Sequence, residues 1–303
     1  MRIGLLGIIL FLLLQANQLF AVDTTFWVST NPIGGGTSCL DPSHNTPRAA
    51  VLTAQTVAKT IALDEASGHT INICAGTYNE TSSVDINNDN LIGLTMQGVN
   101  ASPIDAIIQG NAAATTVDVL IVQRAGVNVS NLELQLGDNA LRIAGAGDRV
   151  TLDNIILDGS DNDCLQLNGD EVSITDMDID GCAIRGIEAV VTGSGTINMT
   201  GITVSNALNA GIHLQNITGG TVDDLVISGS GIDGLSLNNV DNVAFGTSAL
   251  SVNTITGSGD NGLEIDTTSD SNTFLDFDIL NTCLLYTSPS PRDQRGSRMP
   301  SSA

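Results

Sequence analysis

The sequence predicts an all-β chain wound as a coil of short strands, each pairing in parallel with its counterpart one repeat later, with one helix at the amino end. Three observations carry this. From Thr70 onward the aliphatic residues recur with period two, and no helical pattern returns. Two strand phrases then alternate, the first recurring from Leu141 at intervals of 24, 22, 25, 23 and 28 residues. The core material is aliphatic, since hydrophobics make up 42% of the 303 residues but aromatics only 3%.

Taken in order, Arg2 precedes an apolar run from Ile3 to Leu14, then Gln15 to Gln18 and Leu19-Phe20-Ala21. Twelve apolar residues span roughly 18 Å as helix, too short for a bilayer core of about 30 Å. Residues 1–21 therefore read as a signal peptide cleaved after Ala21, which points to a secreted, extracellular or cell-surface protein. Residues 22–69 form a cap: a Gly-rich loop with Cys39, then Thr46 as N-cap and Pro47 as first helical residue. Val51, Ala54, Ala58, Ile61 and Ala62 lie on one helical face, and Gly68 is the stop.

Residues 70–282 hold the coils. The first phrase is a small residue, an aliphatic, any residue and an aliphatic, as in Cys164-Leu165-Gln166-Leu167 and Gly211-Ile212-His213-Leu214. The second is built on aliphatics such as Leu152, Ile155 and Leu157, then Ile174, Met177 and Ile179. Neither phrase is joined to a neighbour by a hairpin dipeptide. Parallel stacking at about 4.8 Å per coil accommodates both. Within the second phrase Asn131, Asn154, Asp176, Gly201 and Asp224 align, residue types that tolerate a left-handed bend, so they mark a corner. A leucine-rich repeat shares the period but needs Asn or Cys after its strand and a helix per unit. Gly137, Ser160, Cys182, Ala207 and Ser230 fill that position, and a second strand phrase occupies the rest.

Residues 283–303 break from this composition, with three Arg after none since Arg185 and three Pro after none since Pro103. The segment resembles the conceptual translation of a sequencing-library adapter, the alternative being a real basic tail. The authentic coils are then expected to be cut near Thr282. The tail should be artefactual and disordered, and the open end of the stack should aggregate. Without the two end segments, six cations face 32 acids, and none of the six lies beyond Arg185. Such a surface excludes a nucleic-acid binder working by phosphate neutralisation and attracts divalent cations. The cysteines become an even four, Cys39, Cys74, Cys164 and Cys182, favouring disulfides in a secreted chain. Cys39 and Cys74 flank the capping helix, where a bridge pins the cap to the first coil. Aligning Gly159 with Gly181 brings Cys182 within one coil of Cys164, so a bridge or two buried thiols fit there.

After the helix comes Cys74-Ala75-Gly76-Thr77-Tyr78, and with the coils it resembles the pectin-lyase-like superfamily over roughly residues 46–282. That resemblance implies a right-handed single-stranded parallel β-helix with an N-terminal capping helix. The superfamily holds lyases, hydrolases, esterases, epimerases and adhesins, so it implies no single activity. Asp161, Asn162, Asp163 and Cys164 are similar to the Asp pair of polygalacturonases, without the His-Gly and Arg-x-Lys elements. Gly220-Thr221-Val222-Asp223 is similar to a stretch of pectin methylesterases, without their downstream Arg. Pectate lyases use a basic residue beside calcium-binding acids, and no cation follows Arg185 before the tail.

The residues between the inward aliphatics form an outer column, Arg142, Gln166, Glu188, His213, Ser236 and Glu264. Two positions before the first aliphatic is a second, Asn139, Asp163, Arg185, Ala210, Asp233 and Asn261. Carboxylates one or two coils apart meet the roughly 5 to 9.5 Å that glycoside hydrolysis requires. The catalytic candidates are Asp163, Arg185, Glu188 and His213. Nine acids fall within Asp153 to Asp180, and Asp158 should stack on Asp180, a repulsion that a hard cation relieves. Asp158, Asp161, Asp163 and Asp180 are thus the candidate calcium ligands, though no cofactor is required. The leading expectation is a binding, adhesive or display stalk for a carbohydrate or cell-surface ligand, with no complete catalytic site and no membrane span. The alternative is a polysaccharide lyase or glycoside hydrolase. Aromatic platforms for sugars are absent between Tyr78 and Phe245, which weighs against the alternative.

Overall fold

A strand places alternate side chains on opposite sides, so the aliphatics of each repeat gather on one side and can be buried only by closing the coil around them. The computed structural model describes residues 23–30, 36–57, 68–111, 116–145, 147–247 and 251–286. Within these the chain is a parallel β-helix of about eight turns, with one continuous aliphatic core that includes Leu141, Leu165, Ile187, Ile212 and Leu235. The expected signal peptide, the helical positions Ala58, Ile61 and Ala62, and residues 287–303 of the expected tail lie outside the described residues.

The strands stack into three faces. The first runs from Thr25–Val28 through Thr70–Ile73 and Thr95–Gly98 into residues 128–130, 151–153 and onward. The second runs from Gly76–Asn79 and Ala106–Gln109 into residues 133–135, 156–158 and 178–180. The third starts at Val84–Ile86, Leu120–Val122, Leu141–Ile143 and Leu165–Leu167. It continues through the opening residues of Ile187–Ser205 and Ile212–Ser228 to Leu235–Val240 and Asn261–Ile265. All pairings between these strands are parallel.

The expected corner is where the first face turns into the second. Asn131, Asn154, Asp176 and Asp224 have φ of 55°, 53°, 50° and 50°, and Gly201 in the same column has φ 69°. Amide side chains ladder along it, the Asn154 Nδ2 donating to Asn131 Oδ1 at 2.7 Å. A second corner, which the sequence reading did not single out, closes the second face with Gly159, Gly181, Asn206, Gly229 and Gly257, all at positive φ.

The cap helix starts as the sequence indicates, but it ends at Ala54 with Gln55 as C-cap instead of continuing toward Gly68. Thr46 accepts a hydrogen bond from Ala49 N at 3.2 Å and Pro47 opens the helix Pro47–Ala54, α1. Pro47, Ala50, Val51 and Ala54 are its buried face. Glu80, from the end of the first coil, accepts from Arg48 N at 2.9 Å and so supplies a carboxylate to the helix N-terminus. Tyr78 is buried and its hydroxyl donates to Cys74 O at 2.9 Å, the burial pushing the phenol up to about 12. Cys39 and Cys74 form a disulfide, as do Cys164 and Cys182. The first ties the cap to the first coil and the second staples the second corner across one coil.

Two expectations are corrected. Short 3-10 turns occur at Asp89–Leu91 and Pro103–Asp105, where Asn88 and a Ser-Pro pair set local turns too short to register as helical periodicity. The coils also run past Thr282: Cys283–Tyr286 pairs with residues 261–265 of the third face. Cys-Leu-Leu-Tyr meets the strand pattern whatever its origin.

Candidate functional site

The outward side of the third face is fixed by register. Arg142 lies beside Gln166, Gln166 beside Glu188, Glu188 beside His213, His213 beside Ser236 and Ser236 beside Glu264. Each sits between two inward aliphatics, such as Ile187 and Ala189 around Glu188 or Ile212 and Leu214 around His213, and those neighbours are buried. The expected outer column is therefore continuous over six coils.

The second expected column is largely buried, with Arg185 and Asp233 only partly exposed. Asn139, Asp163 and Asn261 are 3%, 2% and 5% exposed. The Asn139 and Asp163 side chains each accept a backbone N–H of the following coil, and Asn261 N and Nδ2 donate to Asp233 Oδ1 of the preceding one. Asn139 N and Nδ2 donate to Asp118 Oδ1 at 3.2 and 2.7 Å, Asp163 N donates to Asn139 Oδ1 at 3.3 Å, and Arg185 N donates to Asp163 Oδ1 at 3.1 Å. The expectation of Asp163 as a solvent-facing group is thereby corrected: the chain bends at this position and leaves N–H groups that need acceptors. Burial raises the Asp163 carboxyl above the ordinary Asp range, against the opposing pull of Arg185. Asp118, the foot of the ladder and the ion-pair partner of Arg142 at 3.1 Å, was missed because it lies before the first complete repeat.

Of the four catalytic candidates, three are brought into contact and the fourth is their neighbour in register. Arg185 pairs with Asp163 at 3.9 Å and with the Glu188 carboxylate, which also accepts from Gln166 Nε2 at 3.1 Å. His213 stands one coil on from Glu188. Beyond it the column holds a further linked pair. His213 Nδ1 lies 3.3 Å from Ser236 Oγ, and Ser236 Oγ donates to Glu264 Oε2 at 3.2 Å. Burial, then the charge of Arg185, lowers His213 from 6.5, so it is neutral at pH 7. Burial and then Asp233 raise the Glu264 carboxyl.

The sign for His213 follows from linkage. A histidine whose folded pKa is depressed contributes stability fully present above its unfolded value of 6.5 and lost as pH falls from there through the lower folded value. The melting midpoint of the wild type should drop between pH 7 and pH 5.5 by more than that of His213→Gln. Parallel pH profiles would show that the ring is not held neutral by the fold.

The calcium candidates do not meet at one point. Asp158 and Asp180 are register partners as expected, but Asp180 Oδ1 accepts from Ser205 Oγ at 2.8 Å and Asn206 Nδ2 at 2.7 Å, neutral donors of the next coil. Asp163 is turned to Arg185, and Asp161 lies on the exposed loop before it. Among the described residues no three His, Cys, Asp or Glu side chains converge in a way that could hold a metal ion. Nor is any helix among them long and apolar enough to cross a membrane.

No family model matches the chain, and no curated protein matches it in sequence. Solved structures match in shape. Pectate lyase Pel9A is 13% identical with a TM-score of 0.57, over 88% of this chain and 79% of its own. A pectin methylesterase from Aspergillus niger is 15% identical with a TM-score of 0.53, over 88% of this chain and 87% of its own. At such identities the likeness is one of architecture, and the chain shares the parallel β-helix fold of pectate lyase and pectin methylesterase.

Proposed function

We propose that this is a secreted polysaccharide-directed protein whose working surface is the outward column of the third face, from Arg142 to Glu264. The observation that supports this best is the continuity of that column. Six successive coils present hydrogen-bonding side chains in register on a rigid strand scaffold, the arrangement an extended chain of sugars requires. Two disulfides fit the oxidising compartment of a secreted protein. The fold's solved examples include a pectate lyase and a pectin methylesterase, which favours a polysaccharide-active reading over a display stalk. The column's cation Arg142 is already paired with Asp118, and the adjacent Arg185 with Asp163 and Glu188. A polyuronate therefore meets net negative charge here, and neutral or esterified glycans suit the surface better.

Binding and depolymerisation measured over a panel of neutral, esterified and uronic-acid glycans test the reading. Glu188→Ala should weaken the interaction with the preferred glycan by about tenfold or more, as expected for losing a hydrogen bond to a charged group. Arg185 retains Asp163, so the fold is kept. A chain that neither binds nor alters any glycan of the panel would overturn the reading.

A further inference from the structure

We infer that Ser236 is a nucleophile for ester hydrolysis, acting on O-acyl groups, with Glu264 as its base and His213 as the group that orients it. The substrate class, an acylated glycan, rests on the polysaccharide reading above; the nucleophile itself rests on contacts of this chain.

Three consecutive coils supply the three groups. His213, Ser236 and Glu264 are register neighbours on strands 212–217, 235–240 and 261–265. All three are half-buried, neither sealed like Asp163 nor free in solvent. The Ser236 hydroxyl donates to Glu264 Oε2 at 3.2 Å, and its oxygen lies 3.3 Å from His213 Nδ1. Since the Ser236 proton is committed to Glu264, the bond to a neutral His213 runs from Nδ1–H to the serine oxygen. The hydrogen-bond chain therefore has one direction, imidazole to hydroxyl to carboxylate, and it leaves one Ser236 lone pair uncommitted. A serine is a weak nucleophile unless a base stands in contact with it, and here the base is a carboxylate raised toward neutrality, which strengthens it as a proton acceptor.

The step balances without any further reagent. Ser236 Oγ attacks the ester carbonyl carbon as its proton passes to Glu264. The tetrahedral intermediate expels the sugar oxygen, which takes the proton from Glu264 and leaves as a hydroxyl. Water then attacks the acyl-serine, giving its proton to Glu264. Collapse of that second intermediate releases the carboxylic acid and returns the proton to Ser236. The net reaction is ester plus water to alcohol plus acid.

A fluorophosphonate probe, which phosphonylates an activated serine with loss of fluoride, tests this on the full chain, with the adduct located by peptide mass spectrometry. Release of acetate from acetylated xylan is followed in parallel. The expected result is one adduct at Ser236, absent in Ser236→Ala and formed about 100-fold or more slowly in Glu264→Gln. His213→Gln should slow it less and shift its pH dependence, while melting profiles show all three variants folded. No adduct at Ser236 in the wild type, or labelling as fast in a folded Glu264→Gln, would overturn the inference. Glycan binding without labelling or acyl release rejects the nucleophile and spares the polysaccharide reading. Labelling without any glycan bound or altered does the reverse.

Discussion

Asp163→Leu should lower the unfolding free energy by about 3 kcal/mol, the low end of what breaking a buried ion pair costs. Leucine shares the branching of aspartate and is larger, so the loss is not a cavity. It comes from the Arg185 backbone N–H, which loses its acceptor Asp163 Oδ1, and from the Arg185 guanidinium, which loses one of its two carboxylates. The figure is held down because Arg185 keeps Glu188 and its side chain is 27% exposed. Asp163→Asn retains an acceptor for the backbone N–H and should cost about 1 kcal/mol, the worth of one hydrogen bond. Urea unfolding at constant slope separates the two variants. Two equally stable variants that both lose glycan activity would instead assign Asp163 to chemistry, as the sequence alone suggested.

That reversal shows where reading the sequence succeeds and where it stops. Period and register were legible because burial enforces them: Leu165, Ile187 and Ile212 recur at the spacing of one coil, and the structure stacks them in line. The corner at Asn131, Asn154, Asp176, Gly201 and Asp224 was legible because few residue types bear a positive φ. The start of the cap helix was legible from Thr46-Pro47 and the Cys39–Cys74 bridge from its place around that helix, whereas for Cys164 and Cys182 the spacing left a bridge and two buried thiols both open. Depth was not legible. Alternation sorts side chains at strand positions, but Asp163 lies two residues before the strand aliphatic, on a bend where alternation has no meaning. Its polarity suggested solvent, whereas the structure uses that polarity to satisfy backbone donors inside the wall. The His213–Ser236–Glu264 chain was hidden differently: the column was named, but which neighbours bond depends on rotamers that spacing does not report. The expected calcium set failed to converge for the same reason, since Ser205 and Asn206 turn to Asp180.

Gly220→Val should cost about 4 kcal/mol or more and divide the melt into two transitions. Gly220 has φ 123°, a region essentially closed to other residues, and a Cβ there would stand 1.8 Å from Ile197 O, a backbone atom that cannot yield. Strain of about 1–3 kcal/mol for the dihedral adds to about 1–3 for overpacking. The clash lies between register partners on successive coils, Ile197 and Gly220. In a solenoid each coil is stabilised only by its neighbours, so weakening one interface uncouples the coils before it from those after it. Gly159→Asn is the control: its nearest contact is 3.6 Å, and Asn206 already holds the same corner at positive φ. That variant should melt in one step within about 0.5 kcal/mol of wild type. Calorimetry showing one unshifted transition for Gly220→Val would refute the close approach. The result also bears on Gly220-Thr221-Val222-Asp223, the stretch that resembles a methylesterase motif. Gly220 is demanded by the coil below, Val222 is buried, and Asp223 accepts from Thr247 N at 2.6 Å and Ser251 Oγ at 2.9 Å to hold the next turn. Gly220, Val222 and Asp223 therefore each have a packing cause, so the likeness to the methylesterase stretch needs no shared chemistry.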